Sequence, residues 1–103
     1  MIVSYVVSPE ADDDLEGIFD YTWQQWGEHQ AHKYLLRLHK CADALATGKV
    51  LYKDLGNLVK GMKMMKCEHH FIFCRILRGK MPEIYAVLHE RMDLMARIAE
   101  RLP

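Results

Sequence analysis

Apolar positions along this chain change period three times, and each change separates strand from helix. Residues 2 to 7 are β-branched and aromatic with no helix former, which predicts a strand. Ser8-Pro9-Glu10 then opens a helix: the Ser8 hydroxyl can accept from an orphan N–H, and Pro9 suits the first helical position. Acids at Glu10 and Asp12 to Asp14 complement the positive end of the helix dipole. Ala11, Leu15, Ile18, Thr22 and Trp26 follow at helical spacing, with Phe19 widening the stripe, and Gly27 ends the run. A second apolar face, Ala31, Tyr34, Leu35, Leu38, Cys41, Ala42 and Leu45, runs from near Glu28 to Gly48. The link Trp26-Gly27-Glu28 is so short that the two helices must form an antiparallel hairpin. Each arm is on the order of 25–30 Å long at about 1.5 Å per residue.

The remaining residues read as sheet. Gly48 to Gly61 has no clear period and is expected to be loop. Met62 to Cys67 is strand-like though interrupted by Lys, His70 to Leu77 is the most β-like stretch, Arg78-Gly79-Lys80 turns the chain, and Glu83 to His89 returns. Asp93 caps a final short helix, Leu94 to Leu102, with Leu94, Met95, Ile98 and Leu102 on one side. The order β-αα-βββ-α predicts an α+β fold over residues 1–103 as one domain. An N-terminal strand and a helical hairpin pack on a small antiparallel β-sheet, with a short C-terminal helix. Hairpin and sheet each carry one apolar face, so they close in two layers and leave sheet edges open to an added strand.

Composition narrows the setting. Half of the 103 residues are apolar, enough for one modest core. No apolar run approaches the roughly 18 residues of a membrane span, and the N-terminus lacks a basic leader and a small-residue cleavage site. Three cysteines without regular spacing make a poor disulfide framework. Cys41, Cys67 and Cys74 are therefore expected to be reduced, and the protein cytoplasmic.

Charge is neutral in total but segregated. Pro9 to Glu28 holds only acids (Glu10, Asp12, Asp13, Asp14, Glu16, Asp20, Glu28). Lys53 to Lys80 is basic (Lys53, Lys60, Lys63, Lys66, Arg75, Arg78, Lys80) apart from Asp54 and Glu68. Either the two segments neutralise each other within the fold, or the basic half meets an acidic partner.

Cys67, His69, His70 and Cys74 do not match the spacings of zinc ribbons or fingers, and strand neighbours point to opposite faces, so no metal site and no cofactor is expected. Met62, Met64 and Met65 read as adaptable packing at a sheet edge. The basic strand lacks interleaved aromatics, which argues against sequence-specific nucleic-acid binding.

Particular residues carry a resemblance. Ser8-Pro9-Glu10-Ala11 with Asp14-Leu15, Ile18 and Tyr21, then Trp26-Gly27, and Ala31 with Tyr34, resemble the opening of ParE-type toxins of type II toxin–antitoxin modules. Lys60-Gly61-Met62-Lys63 is similar to the basic-Gly-x-basic entry to their second strand, and His70-Phe71-Ile72-Phe73-Cys74-Arg75 to their His-x-Ile-Phe-Tyr-Arg strand. Val87-Leu88-His89-Glu90-Arg91-Met92-Asp93 resembles the Val-Leu-His-x-Arg-Met-Asp signature, the most specific of the set. Cys74 stands where that family usually has Tyr, and the second strand uses Lys where relatives often use Arg.

The resemblance implies a non-catalytic toxin acting on DNA gyrase and neutralised by a ParD-type antitoxin in a hetero-oligomer. Arg75, His89, Arg91, Asp93 and Arg97 are the residues expected on the functional face. Leu15, Phe19, Leu38, Lys63, Met64 and Lys66 are the expected antitoxin contacts, with acidic antitoxin residues near Lys63 and Lys66. The related RelE-type ribonucleases supply an enzymatic alternative, in which His89 is the base and Arg75 with Arg91 hold phosphate. Against it, the tail from Leu94 to Pro103 is apolar and offers no terminal Tyr or His. His89 and its neighbours instead read as a lock between last strand and last helix, with Arg91 paired to Asp93 or Glu90.

Overall fold

The computed structural model describes residues 4–102, so Ile2 and Val3 of the expected first strand lie outside the described residues. The described residues begin at Ser4, with strand β1 at Val6–Val7. Ser8 caps α1 (Pro9–Trp26), accepting the Ala11 N–H at 3.1 Å, with Pro9 in the first turn. Gly27 breaks the helix at φ 90°, and α2 (Glu28–Ala46) returns antiparallel.

Beyond α2 the chain forms β2 (Lys53–Asp54), β3 (Met62–Cys67), β4 (His70–Arg75), β5 (Glu83–His89) and α3 (Leu94–Arg101). The sheet order is β1-β5-β4-β3-β2. β2, β3, β4 and β5 pair antiparallel, whereas β1 pairs parallel with β5. The sheet is thus mixed and five-stranded, where the sequence suggested an antiparallel meander beside an unplaced first strand. β2 lies inside the stretch expected to be loop. Its two residues are too few to show a period and are seen only through pairing with Met64 and Lys63.

Both faces of the sheet are covered, which extends the two-layer expectation. The hairpin face gathers Ala11, Leu15, Leu38, Ala42 and Leu45 against Cys67, Ile72, Cys74, Ile84 and Val87. The opposite face gathers Met62, Met64, Phe73, Ala86 and Leu88 under Ile98 of α3 and under Leu55 and Val59 of the β2–β3 connection. That connection is pulled inward by an Asx turn, in which Asp54 Oδ1 accepts the Gly56 N–H at 2.8 Å.

A β-bulge allows the second face to form. The register slips between Phe73 and Cys74, so Phe73 faces Ala86 while Cys74 faces Ile84. Tyr85 is the extra residue, and it joins Ala86 on the α3 side. The Tyr85 carbonyl accepts the buried Ser8 hydroxyl at 3.3 Å, and its phenol donates to the Arg101 carbonyl at 2.8 Å. One irregularity therefore ties the start of α1 and the end of α3 to the central strands.

Two of the three cysteines are joined, contrary to the expectation of three thiols: a disulfide links Cys41 on α2 to Cys67 at the end of β3. The Cα atoms are 6.3 Å apart although 26 positions separate them in sequence, and only the docking of α2 on the sheet brings them together. Cys74 remains a buried free thiol, and burial pushes its pKa up to about 11.

Candidate functional site

The hairpin is longer than the sheet is deep, so its distal turn projects past the strands. Ala11, Leu15 and Ile18 pack on the sheet, but Tyr21 and Trp26 find nothing beneath them and stay 64% and 72% exposed. Between this overhang and the turn after β5 lies an open cleft of about 1040 Å³. Asp13, Asp14, Tyr21, Trp26 and Tyr34 line the helical wall, and His69, His70, His89, Glu90 and Arg91 line the sheet wall. The signature segment around His89 thus forms one side of this cleft.

A hydrogen-bonded histidine cluster builds the floor. Tyr34 Oη accepts the His69 backbone N–H at 3.3 Å and is hydrogen-bonded to His70 Nδ1 at 2.6 Å. His70 is buried, and its ring meets the edge of His89 at 5.1 Å. Burial first, then the neighbouring His89 and His69, lower its pKa to about 4, so it is neutral at physiological pH. Burial raises the Tyr34 pKa. His89 Nδ1 accepts the Arg91 backbone N–H at 3.1 Å, which shapes the turn.

Charges at the rim sort into paired and free. Glu90 is held by Lys66 at 3.2 Å and His69 at 2.8 Å, and hydrogen bonds from His69 and Lys66 lower its pKa. Asp14 takes a bidentate Arg101 at 2.7 and 2.8 Å and also accepts the Val87 N–H at 3.0 Å. Among the described residues no carboxylate lies within ion-pair distance of Arg91, so the expected pairing with Asp93 or Glu90 is not made. Glu90 is already taken by Lys66 and His69, and Asp93 turns away to cap α3 through the Ala96 N–H at 3.2 Å. Arg91 is left exposed on the cleft wall.

The other expected residues fall in separate places. Arg75 faces Glu83 at the far end of β4 from His70 and His89, and its Nε donates to the Lys60 carbonyl at 3.1 Å. Five strand positions place it about 17 Å from the cleft wall, so Arg75, His89 and Arg91 do not converge as a ribonuclease set. Arg97 is exposed on α3 beside Glu100 at 3.6 Å.

Of the expected antitoxin contacts, Leu15, Leu38 and Met64 are at most 9% exposed, consumed by the core. Phe19 is half-buried, edge-on to Trp23 and His32. Lys63 and Lys66, three apart on one strand, point to opposite faces. Lys63 bonds Tyr52 Oη at 3.0 Å while Lys66 reaches Glu90, so no single acidic segment meets both from one side.

Sequence reasoning passed over Asp14, Tyr34, His70 and Arg101 as site residues. Asp14, Tyr34 and His70 sit inside the resembling motifs, which was the available signal. Arg101 meets its carboxylate across 87 positions, and nothing local marks it. Among the described residues, no group of three His, Cys, Asp or Glu side chains is placed to hold a metal ion, and no helix is long and apolar enough to cross a membrane.

Comparison with known proteins matches residues 5–94 to the model of the ParE toxin of type II toxin–antitoxin system, parDE. Toxin ParE of Escherichia coli is 41% identical over 101 residues, 98% of this chain and 98% of its own. Toxin ParE1 of Mycobacterium tuberculosis is 31% identical over 90 residues, 87% of this chain and 92% of its own. A solved structure described as the chromosomal ParDE TA system from P. aeruginosa aligns with a TM-score of 0.68 at 19% identity, covering 84% of this chain and 95% of that one. This last likeness concerns the fold.

Proposed function

The chain belongs to the ParE toxin family of type II toxin–antitoxin systems, and from that premise we propose that it inhibits DNA gyrase by binding and is neutralised by a ParD-type antitoxin. The antitoxin seat is the cleft between the hairpin overhang and the turn after β5. An amphipathic segment of the antitoxin lies there against Tyr21, Trp26 and Tyr34, with a carboxylate directed at Arg91. The protein acts in the cytoplasm, in a hetero-oligomer with the antitoxin. Gyrase contacts fall on Arg97 and on the exposed Met92, Met95 and Leu102 around α3.

The single observation that carries the reading is the separation of Arg75 from His89 and Arg91, with Arg91 exposed on the wall of an open, aromatic-lined cleft. Cutting a phosphodiester needs a base, an acid and phosphate-binding cations within a few ångströms of one another. Binding a macromolecule needs surface, exposed aromatic anchors and unpaired charge.

Two assays run side by side test it. In a gyrase supercoiling reaction the purified chain is expected to block supercoiling or trap cleaved DNA, and an equimolar ParD-type antitoxin to restore activity. With translating ribosomes, messenger RNA is expected to stay intact. Cleaved messenger with undisturbed gyrase would reverse the assignment to the RelE-type alternative. A chain harmless to cells without its antitoxin would remove the toxin reading altogether.

A further inference from the structure

We propose that Cys41 and Cys67 form a reversible thiol–disulfide latch that fastens the β3–β4 turn, one wall of the cleft, to α2. The 6.3 Å Cα separation lies within the range a disulfide spans without moving the backbone. Both states have a place in the fold. When the bond is open, the Cys67 thiol has an acceptor 3.7 Å away in the Arg37 carbonyl of α2.

The segment beside the latch is the one that shapes the cleft. Glu68, next to Cys67, holds φ at 56°, a backbone state uncommon for a residue with a side chain. Glu68 pairs with Arg37 of α2, and Tyr34 of the same helix holds the His69 N–H and the His70 ring. Covalent closure at Cys67 thus reinforces three polar contacts that tie the turn to one helix, and His69 and His70, which follow that turn, line the cleft. The latch stands whatever occupies the cleft.

Access decides the order of steps. Cys41 is half-buried on α2, while Cys67 is 3% exposed. With a low-molecular-weight disulfide RSSR as oxidant, the Cys41 thiolate attacks one sulfur and expels RS⁻, leaving a mixed disulfide. The Cys67 thiolate then attacks the Cys41 sulfur and expels the second RS⁻. Two protein thiols lose two electrons in all, and RSSR becomes two RSH once the thiolates take up the released protons. A dithiol reverses both steps. Cys74 takes no part, since it is fully buried and its thiol is pushed up to about 11.

The full chain treated with oxidised glutathione, or with dithiothreitol, then alkylated and weighed, tests the latch. After oxidation Cys41 and Cys67 are expected to resist alkylation with a loss of two hydrogen atoms; after reduction both are expected to label on unfolding. Oxidation should slow amide exchange at Glu68, His69 and His70 about tenfold and raise the melting midpoint by about 10 °C. Cys41→Ser should abolish both responses while keeping the fold, and Cys67→Ala serves as the second variant. A stable glutathione adduct on Cys41 with no bond to Cys67 overturns the proposal. So does a bond that forms but leaves exchange at the turn unchanged.

Discussion

At the scale of single residues, the informative groups are polar ones that the fold removed from water and then satisfied. His70 is the clearest case, because burial and the adjacent histidines hold its pKa near 4 against an ordinary 6.5. The unfolded chain therefore binds the extra proton first, and stability conferred by neutral His70 is complete above about pH 6.5 and declines as pH falls toward 4. The expected loss across that window is about 2–3 kcal/mol. Urea unfolding at pH steps down to about 4.5 should show the slope in the parent and a flatter one in His70→Asn. Asp14 makes a second residue-scale prediction, since it answers both Arg101 and the Val87 N–H. Asp14→Ala should cost about 2 kcal/mol, more than Arg101→Met, which leaves the Val87 bond in place. Denaturant midpoints order the two. Local sequence announced neither residue's role, because each depends on neighbours contributed by distant elements.

Elements were legible where a cap or a period is written into a few adjacent residues. Ser8-Pro9 opens α1, Gly27 turns the hairpin and Asp93 caps α3, all at the expected positions. Asp93→Ala should cost about 1 kcal/mol and show chiefly as faster amide exchange along α3. Two glycines at positive φ should behave differently. Gly27 has φ 90° with open space around its α-carbon, whereas a methyl group at Gly61 (φ 78°) would overlap the Ile76 carbonyl. Gly27→Ala is expected to cost about 2 kcal/mol from backbone strain alone, and Gly61→Ala about 3 kcal/mol or more, because the overlap adds to the strain and shifts the backbone at the β3–β4 pairing. β2 and the Tyr85 bulge escaped the sequence reading for one reason. A two-residue strand and a one-residue insertion carry no periodicity of their own and exist only as pairing with a neighbour.

At the scale of the molecule, α3 and its flanks have two duties: Ile98 closes the second core, while Met95 on the helix and Met92 and Leu102 beside it stay exposed. Truncation before Leu94 should abolish growth inhibition in cells, with antitoxin capture still measurable by a pull-down. Equal loss of both would argue against a separate role for the tail. The expectation of hairpin on sheet held because hydrophobic period and turn length are local properties that the sequence spells out directly. Arg91, which sits in a contiguous signature, lies exposed on the cleft wall. The antitoxin set fared differently: Leu15, Leu38 and Met64 went into the core, and Lys63 and Lys66 to opposite faces. An apolar or basic residue alone does not say which surface it will meet. By itself, then, this sequence determined the order of its elements, their caps and the face each would bury, since those follow from neighbours within a few positions. Only the tertiary structure decided the Cys41–Cys67 bond, the Asp14–Arg101 clamp, the freedom of Arg91 and the cleft itself, because each arises from packing between segments remote in the chain.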